Sequence, residues 1–117
     1  MESGVNYMAQ HGHAVIICVK LSNDDLGEPA EREDFLDLED ACLDALEEQP
    51  ELGEVDGIEE GDGYFRIVCF GPDADALFGA LESTLRAREL PGGSYAIKRF
   101  GVAEDVNTRE EHVALSA

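Results

Sequence analysis

Apolar and polar positions follow different periods in successive parts of the chain. The run His13–Leu21 is dense in β-branched residues and apolar on both faces, which predicts a central strand. From about Ala30 to Gln49 the period becomes helical, and Pro50 ends the helix because the residue before a proline leaves the α region. The helix has one predicted buried stripe, widened by Leu36 and Leu43: Phe35, Leu38, Cys42, Ala45 and Leu46.

The middle of the chain predicts a hairpin. Glu54–Glu60 is a short strand with a glycine inside it, as expected at a sheet edge. Gly61-Asp62-Gly63 is a strong turn signal. Tyr64–Phe70 follows and is the clearest strand of the chain.

A second helix and a last strand complete the pattern. The helix is opened by Gly71-Pro72-Asp73 and extends to about Arg88. Its predicted buried stripe is Ala74, Leu77, Phe78, Leu81 and Leu85. A proline and two glycines then break the helix, and Tyr95–Val102 predicts the last strand.

The order strand, helix, strand, strand, helix, strand predicts an α+β fold of the ferredoxin-like βαββαβ type. Right-handed crossovers give a four-stranded antiparallel sheet in the order 4-1-3-2, with two helices on one face. The domain organisation expected is a flexible arm over residues 1–12, a single domain over 13–102 and a C-terminal tail over 103–117.

Two segments resemble a group of small acidic bacterial proteins of unknown function. The segments are Gly71–Phe78 (GPDADALF) and Gly93–Gly101 (GSYAIKRFG), preceded by an acidic helix and a Gly-Asp-Gly hairpin. The resemblance covers roughly residues 13–115. It implies the ferredoxin-like fold but no activity, cofactor or site residue, because the shared motifs are turns and element boundaries.

Charge narrows the function classes. The net charge is −19, and the segment 24–62 holds 18 acidic residues and a single Arg, a local charge of −17 that leaves −2 for the rest. Such a field repels phosphate backbones and anionic lipids, so neither nucleic acid nor membrane is expected as a partner. A basic protein partner, or solubility alone, fits it better.

The cysteines and the N-terminus bear on location. Three cysteines at core-like positions, Cys18, Cys42 and Cys69, indicate free buried thiols in a reducing compartment. The first fourteen residues lack the charge cluster and apolar run of a secretory signal. We therefore expect a cytoplasmic protein.

No motif predicts catalysis or a cofactor. His11 and His13 have a spacing that can chelate a metal, but two imidazoles do not complete a site and His112 is distant in sequence. The acidic segment does not reproduce a calcium loop. Asp62–Cys69 falls where RNA-recognition folds carry a stacking motif, yet its first position is acidic and Arg66 and Cys69 replace aromatics. Metal, cofactor and enzyme are not expected.

Strand alternation predicts the surface that matters. On the third strand Phe65, Ile67 and Cys69 point to the core, and on the fourth strand Ile97 does so. The other positions form an open sheet face that combines apolar and basic residues, which is typical of an interface. The predicted interface consists of Ile16, Lys20, Tyr64, Arg66, Val68, Phe70, Lys98 and Phe100.

Three functions remain open from these observations. The first is a non-enzymatic protein-binding or assembly module that uses the open sheet face, pairing with itself as a homodimer or docking another protein. The second is an acidic inhibitor of the immunity-protein type, which masks a basic partner such as a nuclease toxin. The third is a small-molecule-binding or enzymatic domain, because folds of this type host many functions. The chain's own ends covering the face would remove the first.

Overall fold

The computed structural model of the chain describes residues 12–22, 29–101 and 107–115. It has two helices and a five-stranded antiparallel sheet, an α+β architecture. Along the chain the elements are β1 (His13–Lys20), α1 (Pro29–Glu47), a 3₁₀ turn (Pro50–Leu52), β2 (Glu54–Gly61), β3 (Tyr64–Gly71), α2 (Ala74–Arg86), β4 (Tyr95–Arg99) and β5 (Glu110–Ala114). In the described residues neither helix is both long and apolar enough to cross a membrane.

The strand count and order differ from the sequence prediction. Read from the β5 edge, the order is 5-4-1-3-2, which differs from the expected 4-1-3-2 by a fifth strand. Residues that were assigned to the tail form this strand, β5, and pair with β4. Leu115, directly after β5, is buried and its amide donates to the carbonyl of Ser94. The described C-terminal residues, 107–115, therefore widen the sheet sideways. The predicted arm lies outside the described residues except for Gly12.

The β2–β3 hairpin turns at Asp62 and Gly63. Both residues have positive φ angles, 55° and 80°. A two-residue turn of this kind requires φ above zero at both positions, and Asp-Gly is among the pairs that reach it at least cost. The turn matches the right-handed twist of the strands it joins, so the predicted hairpin is confirmed.

The core lies between the helices and one face of the sheet, here called the inner face. Val15, Ile17 and Val19 of β1 contribute to it, as do Phe65, Ile67 and Cys69 of β3. Every residue of the stripe predicted for α2 is buried. On α1 the buried residues are Phe35, Leu38, Cys42 and Leu46, whereas Leu36 and Leu43 are exposed.

The register of β4 corrects the prediction for that strand. Ala96 pairs with Ile17 and is buried in the core, while Ile97 pairs with Ile16 on the opposite face. Lys98 consequently points to the helix side, where its Nζ lies 2.8 Å from Oδ1 of Asp75 on α2. Hydrophobicity favoured Ile97 for the core, but pairing with β1 fixes the register, and a shift of one residue reverses every side chain.

Candidate functional site

The sheet face opposite the helices is the candidate site, and we call it the outer face. Cross-strand pairing assigns its members, since directly paired residues point to the same side. They are Glu54, Gly57, Glu59 and Gly61 of β2, Tyr64, Arg66, Val68 and Phe70 of β3, Ala14, Ile16, Cys18 and Lys20 of β1, Tyr95, Ile97 and Arg99 of β4, and Glu110, His112 and Ala114 of β5.

The middle of the outer face is apolar. Val68, Ile16 and Ile97 form one row across three adjacent strands, and each side chain is partly exposed. In the next row Phe70 and Ala14 are buried, at 6% and 0% exposure, although both point away from the core. Covering these partly exposed aliphatic side chains with another surface is favourable, because it removes apolar area from water.

An aromatic row borders the apolar centre. The rings of Tyr64 and Tyr95 meet edge to face at 5.7 Å between centroids, and Tyr95 stacks on His112 at 5.4 Å. Lys20 Nζ lies 5.2 Å from the centroid of the Tyr64 ring, and Arg66 Cζ lies 5.8 Å from it. Ring–ring and cation–ring contacts of this kind hold long side chains in place, which lowers the entropy cost of binding.

Cys18 lies beneath this row, paired with Arg66 on one side and Tyr95 on the other. Its side chain is fully buried. Burial raises the pKa of the Cys18 thiol, although the Tyr95 hydroxyl and the Arg66 guanidinium oppose the shift. A thiol held in its neutral form is a poor nucleophile, so Cys18 serves as packing rather than as a reactive group.

The outer face is balanced in charge. It carries three basic residues, Lys20, Arg66 and Arg99, and three acidic residues, Glu54, Glu59 and Glu110. Two of the bases lie directly opposite acids, Arg66 opposite Glu59 and Arg99 opposite Glu110. The chain as a whole has a net charge of −19, so this face differs sharply from the rest of the surface.

The structure brings together six of the eight predicted interface residues. Ile16, Lys20, Tyr64, Arg66, Val68 and Phe70 share the outer face, with Phe70 buried rather than exposed.

Lys98 and Phe100 lie on the helix side. Lys98 contacts Asp75 of α2. The Phe100 ring meets the ring of His13, with 5.7 Å between centroids, and His13 occupies a position of β1 that faces the helices.

The predicted interface omitted every outer-face residue of β4 and β5, among them Tyr95, Ile97, Arg99 and His112. The first three follow from the reversed register of β4. His112 belongs to β5. The sequence pattern that could have predicted this strand is the pair Val113 and Leu115, which are two residues apart and pack in or against the core.

The remaining chemical motif has a structural role. Nδ1 of His13 accepts a hydrogen bond from the backbone amide of Ala74 at 3.0 Å, and the Asp73 carboxylate accepts one from the amide of Asp75. Both contacts satisfy free amides at the beginning of α2. His11 lies outside the described residues, and among those described no three potential ligands cluster in a way that could hold a metal.

The outer face is thus a broad surface of five strands with an apolar centre and an aromatic border. Such a surface suits contact with a macromolecule. The chain matches no known protein-family model, and neither the curated proteins nor the solved structures include a significant match to it. The case for function therefore rests on the geometry of the molecule.

Proposed function

We propose that this protein is a non-enzymatic assembly module in which two copies pack outer face against outer face. In this proposal the fold is a ferredoxin-like βαββαβ core with β5 added beside β4, and the protein is cytoplasmic, which its free buried thiols favour. The row of partly exposed aliphatic side chains, Ile16, Val68 and Ile97, is the observation that carries the proposal.

Charge favours a second copy over another partner. The outer face carries equal numbers of bases and acids, two of each at opposite positions on neighbouring strands, so neither a strongly basic nor a strongly acidic surface complements it. The acid-rich helix α1 lies on the other side of the sheet. Face-to-face packing therefore keeps the acidic surfaces of two copies at the far sides of the dimer, beyond a Debye length of roughly 8 Å at physiological salt.

The area of the face is adequate for a specific dimer. Five strands about 4.8 Å apart, each residue rising about 3.3 Å, give a projected area of roughly 500 Å² per copy. Two copies then bury about 1,000 Å², which is close to the lower limit for a specific interface. The strand β5 contributes to this area, so the fifth strand has a direct consequence for assembly.

Sedimentation velocity over a range of concentrations tests the proposal. We expect the wild-type chain to dimerise, and Val68→Glu to raise the dimer Kd by at least about 30-fold, the equivalent of about 2 kcal/mol. The substitution places a carboxylate in the apolar centre of the proposed interface, where burial of the charge opposes assembly. Val68 is a better position than Phe70, because the buried Phe70 ring also supports the fold.

A matched control is Leu43→Glu on α1, where the side chain is 42% exposed on the opposite side of the molecule. It adds the same charge and should leave the dimer Kd unchanged within about twofold. Thermal unfolding of both variants separates loss of assembly from loss of fold. A wild-type chain that stays monomeric at the highest attainable concentration overturns the proposal.

A further inference from the structure

A second apolar surface follows the boundary between α1 and the edge strand β2. The large hydrophobic side chains that are exposed in the described residues are Leu36 at 47%, Ile58 at 45% and Leu43 at 42%. Leu36 and Leu43 are two helical turns apart on α1, and Ile58 lies on the helix side of β2, paired with Ile67 of the core. We call this surface the α1–β2 groove. Three such side chains on one boundary are more than scattered surface residues.

The groove contains two depressions. A cavity of about 140 Å³ is lined by Leu36, Ile58 and the buried rings of Phe35 and Phe65. Arg32 closes its end, with NH1 bonded to Oε2 of Glu60 at 2.9 Å. A second cavity, of about 350 Å³, has its own lining at the other end of the helix: Leu43, Leu46, Glu47, Pro50, Gly53, Glu54 and Val55.

β2 borders the groove and is an edge strand of the sheet. In the described part of the chain it pairs with β3 alone, so its other edge presents backbone N–H and C=O groups. Its side chains divide by face: Val55 and Ile58 point to the groove, whereas Glu54 and Glu59 point to the outer-face side. Both glutamates are exposed.

We propose that the α1–β2 groove and the edge of β2 bind a basic segment of another protein as an added strand. In that segment apolar and basic residues alternate. Main-chain hydrogen bonds to the edge supply affinity, and alternate side chains supply specificity. The apolar side chains enter the groove beside Ile58, and the basic side chains reach Glu54 and Glu59.

Charge determines the occupant. A second copy of this chain pairing edge to edge would set two acidic strands side by side, and like charges directly opposite one another destabilise a sheet. A basic strand meets the reverse situation, because the segment 24–62 has a local charge of −17. The attraction also raises the association rate at low salt. This surface shares no apolar anchor with the proposed dimer, so either proposal can fail alone.

A synthetic peptide tests the inference directly. The probe is a capped peptide of alternating valine and lysine, eight residues long to match β2. Titration into the ¹⁵N-labelled protein at about 150 mM salt should perturb amide signals of β2 and of the groove side of α1. We expect Ile58→Ser to weaken binding about tenfold, since the exposed side chain loses its contact with valine while the net charge stays the same.

Two controls separate strand addition from general attraction to an acidic protein. A peptide of the same composition with its valines and lysines in two blocks has the same charge but no alternation, and it should bind at least about tenfold more weakly. Ala87→Ser, at the exposed C-terminal end of α2 and outside both surfaces, should leave the affinity for the alternating peptide unchanged. Equal affinity for both peptides, indifference to Ile58→Ser, or no binding up to about 1 mM peptide overturns the inference.

Discussion

The two sides of the sheet are made by the same strands and have opposite characters. On the inner face Val15, Ile17 and Ile67 are fully buried, and the packing is almost entirely apolar. On the outer face the neighbouring residues Ile16 and Val68 are partly exposed and lie among charged and aromatic side chains. Each strand therefore carries a core sequence and a surface sequence at alternate positions.

The difference shows which part of the chain secures the fold and which is available for contact. The inner face has its partners in the two helices, and its side chains contribute through tight packing. The outer face is charge-balanced and partly apolar, although the chain carries −19 overall. Substituting similar residues on the two faces and comparing the change in unfolding free energy tests this contrast.

Ile67 and Val68 are adjacent in sequence and lie on opposite faces, so they form the sharpest pair. Ile67→Ala leaves a cavity in the core and should lower the free energy of unfolding by about 2–5 kcal/mol. Val68→Ala should lower it by no more than about 1 kcal/mol, because the side chain is already partly hydrated. Urea unfolding at low protein concentration measures both without the contribution of assembly. Similar losses would mean that the outer face is part of the core.

Much of the fold followed from local patterns. The buried stripe of α2 was predicted in full, because apolar residues at helical spacing on a short helix have one compact solution. The inward set of β3, Phe65, Ile67 and Cys69, was predicted from strand alternation, because Arg66 marks the other set as the outward one. Asp62-Gly63 is a strong turn signal, and the hairpin predicted there is confirmed.

The misses arose where tertiary contacts decide. Three of the five residues of β5 are polar: Glu110, Glu111 and His112. The segment becomes a strand through pairing with β4 and burial of Leu115. On β4 the small Ala96 fits beneath the helices and the long Lys98 extends to Asp75, an arrangement that hydrophobicity alone ranks lower than a buried Ile97. A third of the outer-face residues lie on these two strands.

The thiol pKa values of the three cysteines differ between the outer face and the core. Burial raises the pKa of the Cys42 thiol from 9.0 to about 12 and raises that of Cys69 further, while Tyr95 and Arg66 limit the rise at Cys18. The unfolded chain loses these protons first, so the stabilisation is complete below pH 9 and is lost as pH rises toward about 12.

We expect unfolding free energy to fall across this window by roughly 1 kcal/mol per pH unit for each strongly shifted thiol. Cys42→Ala should flatten the slope measured by urea unfolding under reducing conditions, and Cys18→Ala should flatten it less. Comparing slopes rather than absolute values removes the cost of the cavity that each substitution leaves. A larger effect from Cys18→Ala would contradict the assignment of environments.

Lys98 on the helix side and Lys20 on the outer face give the smallest expected difference in unfolding free energy. Nζ of Lys98 lies 2.8 Å from Asp75 and 3.5 Å from Glu111, and its side chain is only 16% exposed. The hydrogen bond to Asp75 raises the pKa of Lys98 above 10.5, so this stabilisation is present below pH 10.5 and is lost as pH rises through the raised pKa. Lys98→Met should cost about 1 kcal/mol or less at neutral pH, and the difference from wild type should shrink above pH 10.5. Lys20→Met, on the outer face, should leave monomer stability almost unchanged, because within the described ranges its ammonium lies 5.2 Å from the ring centroid of Tyr64, a weak cation–ring contact. Equal losses from the two substitutions would show that Lys98 gains nothing from its position on the helix side.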